Sequence, residues 1–311
     1  MIVNQGFEQL VQQFPEMSFI QDRVQYGIMI YKIVYKTTFR GEEQRASGLV
    51  CVPMGEGTFP LLSYQNGTNT QHSNAPTVNP DFPLYQMLEF VASTGFIISL
   101  PDYLGFGSSD NMFHPYMHRE STVQSVIDML RAVNELVNNY LDVNLKDELY
   151  LSGYSQGGWA TMQVQKAIEE QYGSEFNLEA SACAAGPYNL LQVNDYILSQ
   201  NTYPMPYFAG YMFNSYMNLD ITTTPIDSVF QDPYAGKIPT LYDGSKSGEQ
   251  INQELTTSVA DLFTVNYRNN YQTDTTFNSL VAALEENSIG AWSTATPTRI
   301  YHGSDDQFIP Y

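Results

Sequence analysis

Basic side chains are scarce in this sequence. Its 311 residues contain 13 Lys and Arg against 33 Asp and Glu, which leaves a formal net charge of -20 at pH 7. A field of that sign repels phosphate backbones and anionic membrane surfaces. We therefore expect no nucleic acid among the partners of this protein.

Long apolar runs and a set of paired cysteines are also missing. The longest nearly apolar stretch, residues 90–100, is interrupted by Ser, Thr and Gly and is far shorter than the ~20 residues that a bilayer-spanning helix needs. This excludes a transmembrane helix. Two cysteines cannot make a disulfide framework, and because Cys51 and Cys183 each lie within an apolar run, we expect two buried free thiols.

Motifs that bind cofactors are absent as well. There is no GxGxxG after a strand, no phosphate-binding GxxxxGK pattern and no HExxH, so the sequence implies no cofactor. His114 and His118 have the i, i+4 spacing of a metal-binding pair. However, Pro115 follows the first of them and no motif places a third ligand, so we expect no metal site.

A signal peptide is likewise not visible. No charged segment followed by an apolar stretch opens the chain. The low Lys content and the abundance of Asn, Gln, Ser, Thr and Tyr are nevertheless typical of exported proteins. We expect a secreted or periplasmic protein whose leader is not part of this sequence. The sequence leaves the oligomeric state open.

The residues that are present predict a globular α/β protein. The side chains are 43% apolar and 15% charged, and a chain of this length buries about 75% of its unfolded surface. Apolar runs of strand length alternate with helix-length segments, which predicts a mostly parallel sheet covered by helices on both faces. The predicted strands are residues 26–38, 46–53, 60–66, 95–103, 148–153, 179–185 and 298–302. The predicted helices are residues 84–93, 121–141 and 157–172.

Local signals set the ends of several of these elements. The polar residues 40–45 predict a turn between the first two strands, which we expect to be antiparallel. In the helix 121–141, apolar residues at i, i+3 and i+4 form one face, and Ser121 or Thr122 is the expected N-cap. Gly173 is the expected stop of the helix 157–172.

Residues 190–292 break the alternation into short, aromatic and polar pieces. Because the strand pattern resumes at 298–302, we interpret this segment as a cap or lid inserted into one α/β domain that spans residues 1–311. Its aromatic stretch, residues 203–213, forms either a small core of its own or an apolar wall over a substrate pocket. The sequence leaves these two interpretations open.

Residues 153–157 spell GxSxG, with Ser155 at the centre. The motif follows an apolar strand and opens directly into a helix. A turn this sharp forces the central residue into strained backbone geometry, and its neighbours must be Gly or very small. The pattern predicts a nucleophilic Ser155 at the carboxyl edge of the sheet, where the helix N-terminus favours negative charge. The alternative is an ordinary Gly-rich turn.

Three further stretches accompany the motif in order: LLSYQNGT at residues 61–68, LPDYLGFGSS at 100–109 and YHGSDDQFIP at 301–310. With GYSQGG, they make the chain resemble an α/β-hydrolase over nearly its whole length, and among those it is similar to secreted bacterial lipase and esterase-like proteins. The resemblance implies the α/β-hydrolase fold, a mostly parallel central sheet with helices on both faces and a cap insertion.

The resemblance also implies site residues. LLSYQNGT matches the loop that contributes a backbone N–H to the oxyanion hole, so Gly67 and Thr68 are expected donors, together with the N–H of Gln156. A tetrahedral intermediate needs such donors, and losing one costs ~10²- to 10³-fold in rate. YHGSDDQFIP places Asp306 at the position of the triad acid; the alternative is that the pair of Asp305 and Asp306 is solvated surface charge.

One expected residue departs from the family pattern. The family places its catalytic histidine on a loop after the last strand, and the four histidines here, His72, His114, His118 and His302, match no such position. We expect a C-terminally incomplete chain whose last strand, last helix and catalytic histidine lie beyond Tyr311. Loss of the base lowers turnover on the order of 10⁶-fold, so such a chain would be weakly active or inactive.

The sequence therefore predicts a serine hydrolase of the carboxylic ester hydrolase type, which cleaves a small-molecule or lipid ester through an acyl-enzyme. The sequence does not decide between a lipase and an esterase. Two alternatives remain: a serine peptidase of the prolyl-oligopeptidase kind, and a non-catalytic binding protein of the same fold, which the absent histidine favours.

Overall fold

The computed structural model of the chain describes residues 11–12 and 15–310. In this part of the chain, seven strands form one sheet. They are Ile28–Phe39 (β1), Glu42–Pro53 (β2), Thr58–Gln65 (β3), Ile97–Pro101 (β4), Asn144–Tyr154 (β5), Leu178–Ala184 (β6) and Thr298–Tyr301 (β7). Their order across the sheet is β1-β2-β4-β3-β5-β6-β7.

The strand directions confirm the predicted mostly parallel sheet. β1 and β2 form an antiparallel pair, β2 is antiparallel to β4, and the remaining pairs from β4 to β7 are parallel. The predicted turn at 40–45 is too long, because Arg40 and Gly41 alone turn the chain with φ of 53° and 81°. Both values suit the two-residue turn that matches strand twist, so residues 42–45 join β2.

Three helices cover the two faces of the sheet: Pro83–Ala92 (α1), Arg119–Tyr140 (α2) and Gln156–Ala167 (α3). Successive residues of β2 point to opposite faces. Val50 belongs to the core layer of α2, whereas Leu49 belongs to the layer of α1. The predicted α/β-hydrolase architecture with helices on both faces is thereby confirmed.

The N-cap prediction for α2 is wrong. The helix begins two residues before Ser121, and the Nδ1 atom of His118 accepts a hydrogen bond from the backbone N–H of Ser121 at 3.4 Å. An unprotonated imidazole nitrogen accepts such a bond as a hydroxyl does. The N-cap is therefore His118, which the sequence analysis did not consider. The apolar face is buried as predicted, with Val126 and Val133 fully covered.

A hydrogen-bonded junction joins α3 to the chain that returns to β7. After α3, the residues Ile168–Tyr172 form one π-helical turn that ends before Gly173. Glu169 in this turn accepts hydrogen bonds from Trp292 Nε1 at 2.7 Å and from the backbone N–H of Thr296 at 3.1 Å. Burial raises the pKa of Glu169, but these bonds outweigh it and lower the pKa to about 2.

Residues 190–292 are mainly helical. The helices between β6 and β7 are Leu190–Ser199 (α4), Pro206–Asn218 (α5), Ile226–Val229 (α6), Tyr234–Lys237 (α7), Gly248–Glu254 (α8), Val259–Leu262 (α9), Val265–Asn270 (α10) and Asn278–Asn287 (α11). Phe213, Phe230 and Phe263 pack against one another in this region, with ring centroids 5.2 to 5.5 Å apart. β7 then pairs with β6, so the strand pattern resumes in the same sheet as expected.

Both cysteines are free and buried, as predicted. Burial raises the pKa of Cys51 to about 12 and that of Cys183 to about 11, so neither is a thiolate at neutral pH. In the described residues, the helices are too short or too polar to span a bilayer.

Candidate active site

Ser155 occupies the sharp turn between β5 and α3. Its backbone has φ of 57° and ψ of -123°, a conformation that residues with a Cβ rarely adopt. Two backbone bonds hold the turn: the N–H of Ser155 donates to Ala184 O at 2.8 Å, and its carbonyl accepts from the N–H of Trp159 at 3.2 Å. The strained residue is therefore fixed between the end of β6 and the first turn of α3.

Gly157 shows why this turn needs a residue without a side chain. A Cβ there would overlap the carbonyl oxygen of Gln65 and lie 2.7 Å from the carbonyl oxygen of Asn66. These atoms belong to the end of β3 and the loop after it, so no side-chain motion could relieve the overlap. The small residue lets α3 start directly against the loop that carries Gly67.

Gly67 lies beside Ser155. A Cβ built on Gly67 would be 3.8 Å from the Ser155 Cβ and 3.4 Å from Tyr154 O. Thr68, the next residue, has its Oγ1 2.8 Å from the hydroxyl of Tyr116. The structure thus brings the 67–68 loop against the turn at Ser155.

The N–H of Gln156 is the first of α3 and belongs to the helix N-terminal groups that have no partner within the helix. The positive end of the helix dipole lies there too. Gln156 follows Ser155 in the chain and Gly67 lies beside it. Backbone N–H groups near such a serine can stabilise a developing oxyanion.

Asp306 lies in the loop that follows β7. Its Oδ1 accepts hydrogen bonds from the N–H groups of Phe308 at 2.8 Å and Ile309 at 3.1 Å, and its Oδ2 is 3.5 Å from His302 Nε2. Asp306 is partly buried and Asp305 is exposed. Ile309 lines the same cavity as Ser155, so the two loops meet at one edge of the sheet.

The four histidines lie elsewhere or have other partners. The His302 Nε2 donates to Ile309 O at 3.0 Å, and the ring of His72 packs edge-on against Phe106. His118 caps α2. His114 is buried and contacts Gln156 rather than Ser155, with its Nε2 3.0 Å from the Gln156 Nε2. Sequence reasoning missed this contact, because nothing in the pattern relates two residues so far apart along the chain.

The stretch LPDYLGFGSS at residues 100–109 makes hydrogen bonds to neighbouring parts of the fold. The carboxylate of Asp102 accepts hydrogen bonds from Ser47 Oγ at 2.5 Å and from the Thr77 N–H at 2.9 Å. Burial is the largest effect on the pKa of Asp102 and raises it. Tyr103 donates from its hydroxyl to Asn66 O at 3.3 Å, just before Gly67.

An apolar cavity of about 40 Å³ adjoins Ser155. Its other lining residues are Tyr116, Met117, Pro187, Leu190, Val193, Ile197, Tyr203, Phe208, Ala209, Met212 and Ile309. Residues of the stretch 203–213 lie in two environments. Phe208 and Met212 face the cavity, while Tyr211 and Phe213 are buried in the core. The stretch therefore contributes both to the cavity wall and to the main hydrophobic core.

Among residues 11–12 and 15–310, His, Cys, Asp and Glu side chains form no group of three or more that could hold a metal ion.

Solved structures share this architecture. A Legionella pneumophila protein described as a hydrolase is 27% identical with a TM-score of 0.87, over 98% of this chain and 82% of its own. The rice cell wall degrading esterase LipA from Xanthomonas oryzae is 30% identical with a TM-score of 0.79, over 94% of this chain and 80% of its own. Candida antarctica lipase A in its closed state is 16% identical with a TM-score of 0.69, over 91% and 67%, and this likeness concerns the fold alone.

Sequence comparison identifies the family. No curated protein matches the chain. A family model described as secretory lipase matches residues 71–311, more than three quarters of the chain, and the match includes Ser155 and Asp306. The chain therefore belongs to the secretory lipase family.

Proposed function

We propose that this protein is a serine esterase that hydrolyses short-acyl carboxylic esters through an acyl-enzyme on Ser155. The observation that carries the proposal is the strained Ser155 turn, flanked by the 67–68 loop and the N-terminus of α3. Membership of the secretory lipase family, and the similarity to an esterase at 30% identity, support ester hydrolysis in general.

In the proposed reaction, the Ser155 Oγ bonds to the ester carbonyl carbon while its proton passes to an imidazole base. The N–H of Gln156 and an N–H of Gly67 or Thr68 hold the resulting oxyanion. The alcohol then leaves with that proton, and water attacks the acyl-enzyme to release the acid and restore the serine.

Asp306 has the role of orienting the imidazole and stabilising its charged form. Its backbone hydrogen bonds to Phe308 and Ile309 fix the carboxylate at the edge of the sheet that carries Ser155. His114, His118 and His302 are held by other partners, and we assign the base to none of these three.

The cavity beside Ser155 supports a short acyl group. The alcohol departs first and needs an open exit, whereas the acyl group stays on Ser155 until water attacks it, so the apolar cavity beside Ser155 suits the acyl group. A volume of 40 Å³ holds about three water-sized atoms, since one requires about 10–15 Å³. This fits an acetyl or propionyl group within the cavity.

We further propose that residues 190–292 act as a cap. α4 and α5 supply Val193, Ile197 and Met212 to the wall of the cavity that Ser155 also lines. Tyr203 also donates from its hydroxyl to Phe308 O at 3.1 Å, which ties the segment to the loop of Asp306.

Labelling with a fluorophosphonate tests the nucleophile. The protein as its host produces it should be labelled once, and the Ser155→Ala variant should not be labelled. A folded protein that resists the probe would contradict the proposal and favour a non-catalytic binding role.

Substrate series test the rest of the proposal. The rate on p-nitrophenyl acetate should exceed the rate on the butyrate and octanoate esters, and aminoacyl anilides should be poor substrates. A preference for the octanoate ester would contradict the short-acyl proposal, and faster cleavage of anilides would identify a peptidase.

We also propose that the protein acts outside the cytoplasm, in accord with the secretory description of its family. Cell fractionation with a cytoplasmic marker enzyme as control tests this. Recovery of the protein with the marker would contradict it.

A further inference from the structure

His114 is a buried imidazole that the proposed reaction does not use. It lies between β4 and α2 and is 6% exposed. Four aromatic rings lie 4.9 to 6.0 Å from it, those of Tyr103, Phe106, Tyr116 and Tyr211. Burial of this kind fixes the ring in one orientation.

The hydrogen bonds of His114 define where its proton lies. Its Nδ1 is 2.6 Å from the carbonyl oxygen of Leu104, which can only accept, so Nδ1 carries the proton. Burial lowers the pKa of His114 to about 4, against a smaller raising effect of the Leu104 bond. The ring is therefore neutral at pH 7, and its Nε2 accepts a hydrogen bond from the Gln156 amide at 3.0 Å.

The Gln156 side chain depends on this contact. It is 1% exposed, and its Oε1 has no hydrogen-bond partner within residues 11–12 and 15–310. A buried amide with an unpaired oxygen destabilises a protein relative to an apolar side chain of the same length. The pair of Gln156 and His114 is thus poorly explained by stability, and it holds the residue that follows the nucleophile.

The rings around His114 lead to the other side of Ser155. Tyr103 stacks on His114 at 6.0 Å with an interplanar angle of 27°, and its hydroxyl donates to Asn66 O. Tyr116 lies 5.9 Å from His114, and its hydroxyl is hydrogen-bonded to Thr68. His114 therefore contacts the Gln156 side chain directly, and it contacts the two tyrosines whose hydroxyls are hydrogen-bonded to the loop 66–68. The proposed oxyanion donors belong to Gln156 and to this loop.

We propose that His114 is a positioning residue that sets the two halves of the oxyanion hole relative to each other. It does so through its bond to the Gln156 side chain and through the tyrosines that hold the loop 66–68. The inference rests on the proposed function, because it concerns how the donors of that site are aimed. A misplacement of about 1 Å at a reacting centre lowers rates by about 10²-fold.

Two variants and their combination test the proposal. His114→Phe keeps a buried ring and removes both hydrogen bonds, and Gln156→Met keeps the length of the side chain without its amide. The matched control is His118→Asn, which removes a partly buried imidazole but retains a preferred helix cap. Thermal unfolding and circular dichroism establish which variants fold.

The expected result is a loss of about 10- to 100-fold in kcat for His114→Phe and for Gln156→Met. KM should change less than about 2-fold, because the ground-state ester uses the oxyanion hole little. The double variant should lose no more than the worse single variant, since both act through one bond. His118→Asn should keep the wild-type kcat.

An unchanged kcat in a folded His114→Phe variant would overturn the inference, as would losses that multiply in the double variant. If His114→Phe does not fold, an unchanged kcat in Gln156→Met overturns it by the same reasoning. These outcomes differ from failure of the proposed function, in which the wild-type protein itself resists the fluorophosphonate or Ser155→Ala retains the wild-type rate.

Discussion

Replacing Ser155 with Gly and with Ala separates the backbone strain at this position from the chemistry of its hydroxyl. With φ of 57° and ψ of -123°, a residue that carries a Cβ is destabilised by about 1–3 kcal/mol. Gly adopts this conformation freely but loses about 0.5–1 kcal/mol more in chain entropy than Ala on folding. The difference predicts that Ser155→Gly is more stable than Ser155→Ala by about 0.5–2 kcal/mol.

The assay is equilibrium unfolding in urea. The slope m is compared between the variants, because equal slopes show that the denatured states are equivalent. Both variants lose the hydroxyl, so both should lose esterase activity, and only the glycine variant should gain stability. At an unstrained position, Gly would instead be the less stable variant. A glycine variant that is less stable than the alanine variant would refute the strain at Ser155.

Three further predictions concern other residues. Gly157→Ala should destabilise the fold by about 3 kcal/mol, because the added Cβ meets the backbone oxygen of Gln65; urea unfolding close to the wild-type midpoint would contradict this. Glu169→Gln should lower the free energy of unfolding by about 2 kcal/mol at pH 7 through weaker hydrogen bonds, and because the folded pKa of Glu169 is about 2, that difference should vanish as the pH falls from about 4.5 to 2. The folded pKa of His114 lies below its unfolded value, about 4 against 6.5. The neutral ring therefore makes its full contribution to the free energy of unfolding above pH 6.5. This contribution should diminish by about 3 kcal/mol as the pH falls to 4, and unfolding curves of His114→Phe should lack that part of the pH dependence.

Much of the fold could be predicted because it depends on periodicity and chain order. The alternation of strand and helix places the ends of β3, β5, β6 and β7 at one edge of the sheet, and a turn from β5 into α3 then puts Ser155 there. These features follow from hydrophobic patterns that can be recognised within short windows of the sequence.

The features that sequence reasoning missed depend on burial or on contacts between distant residues. α5, Pro206–Asn218, was hidden because it buries Phe213 on one side and lines the cavity with Met212 on another, so it lacks a polar face. The His118 cap uses a residue outside the usual set. The bond between His114 and Gln156 spans 42 positions and leaves no periodic trace.

The most direct test of the account is the mass of the protein during turnover. Wild-type protein, mixed with p-nitrophenyl acetate and quenched in acid within the first turnover, should gain the mass of one acetyl group, and fragmentation should locate that group on Ser155. Acetylation of another residue, or ester hydrolysis by the Ser155→Ala variant at the wild-type rate, would contradict the central claim.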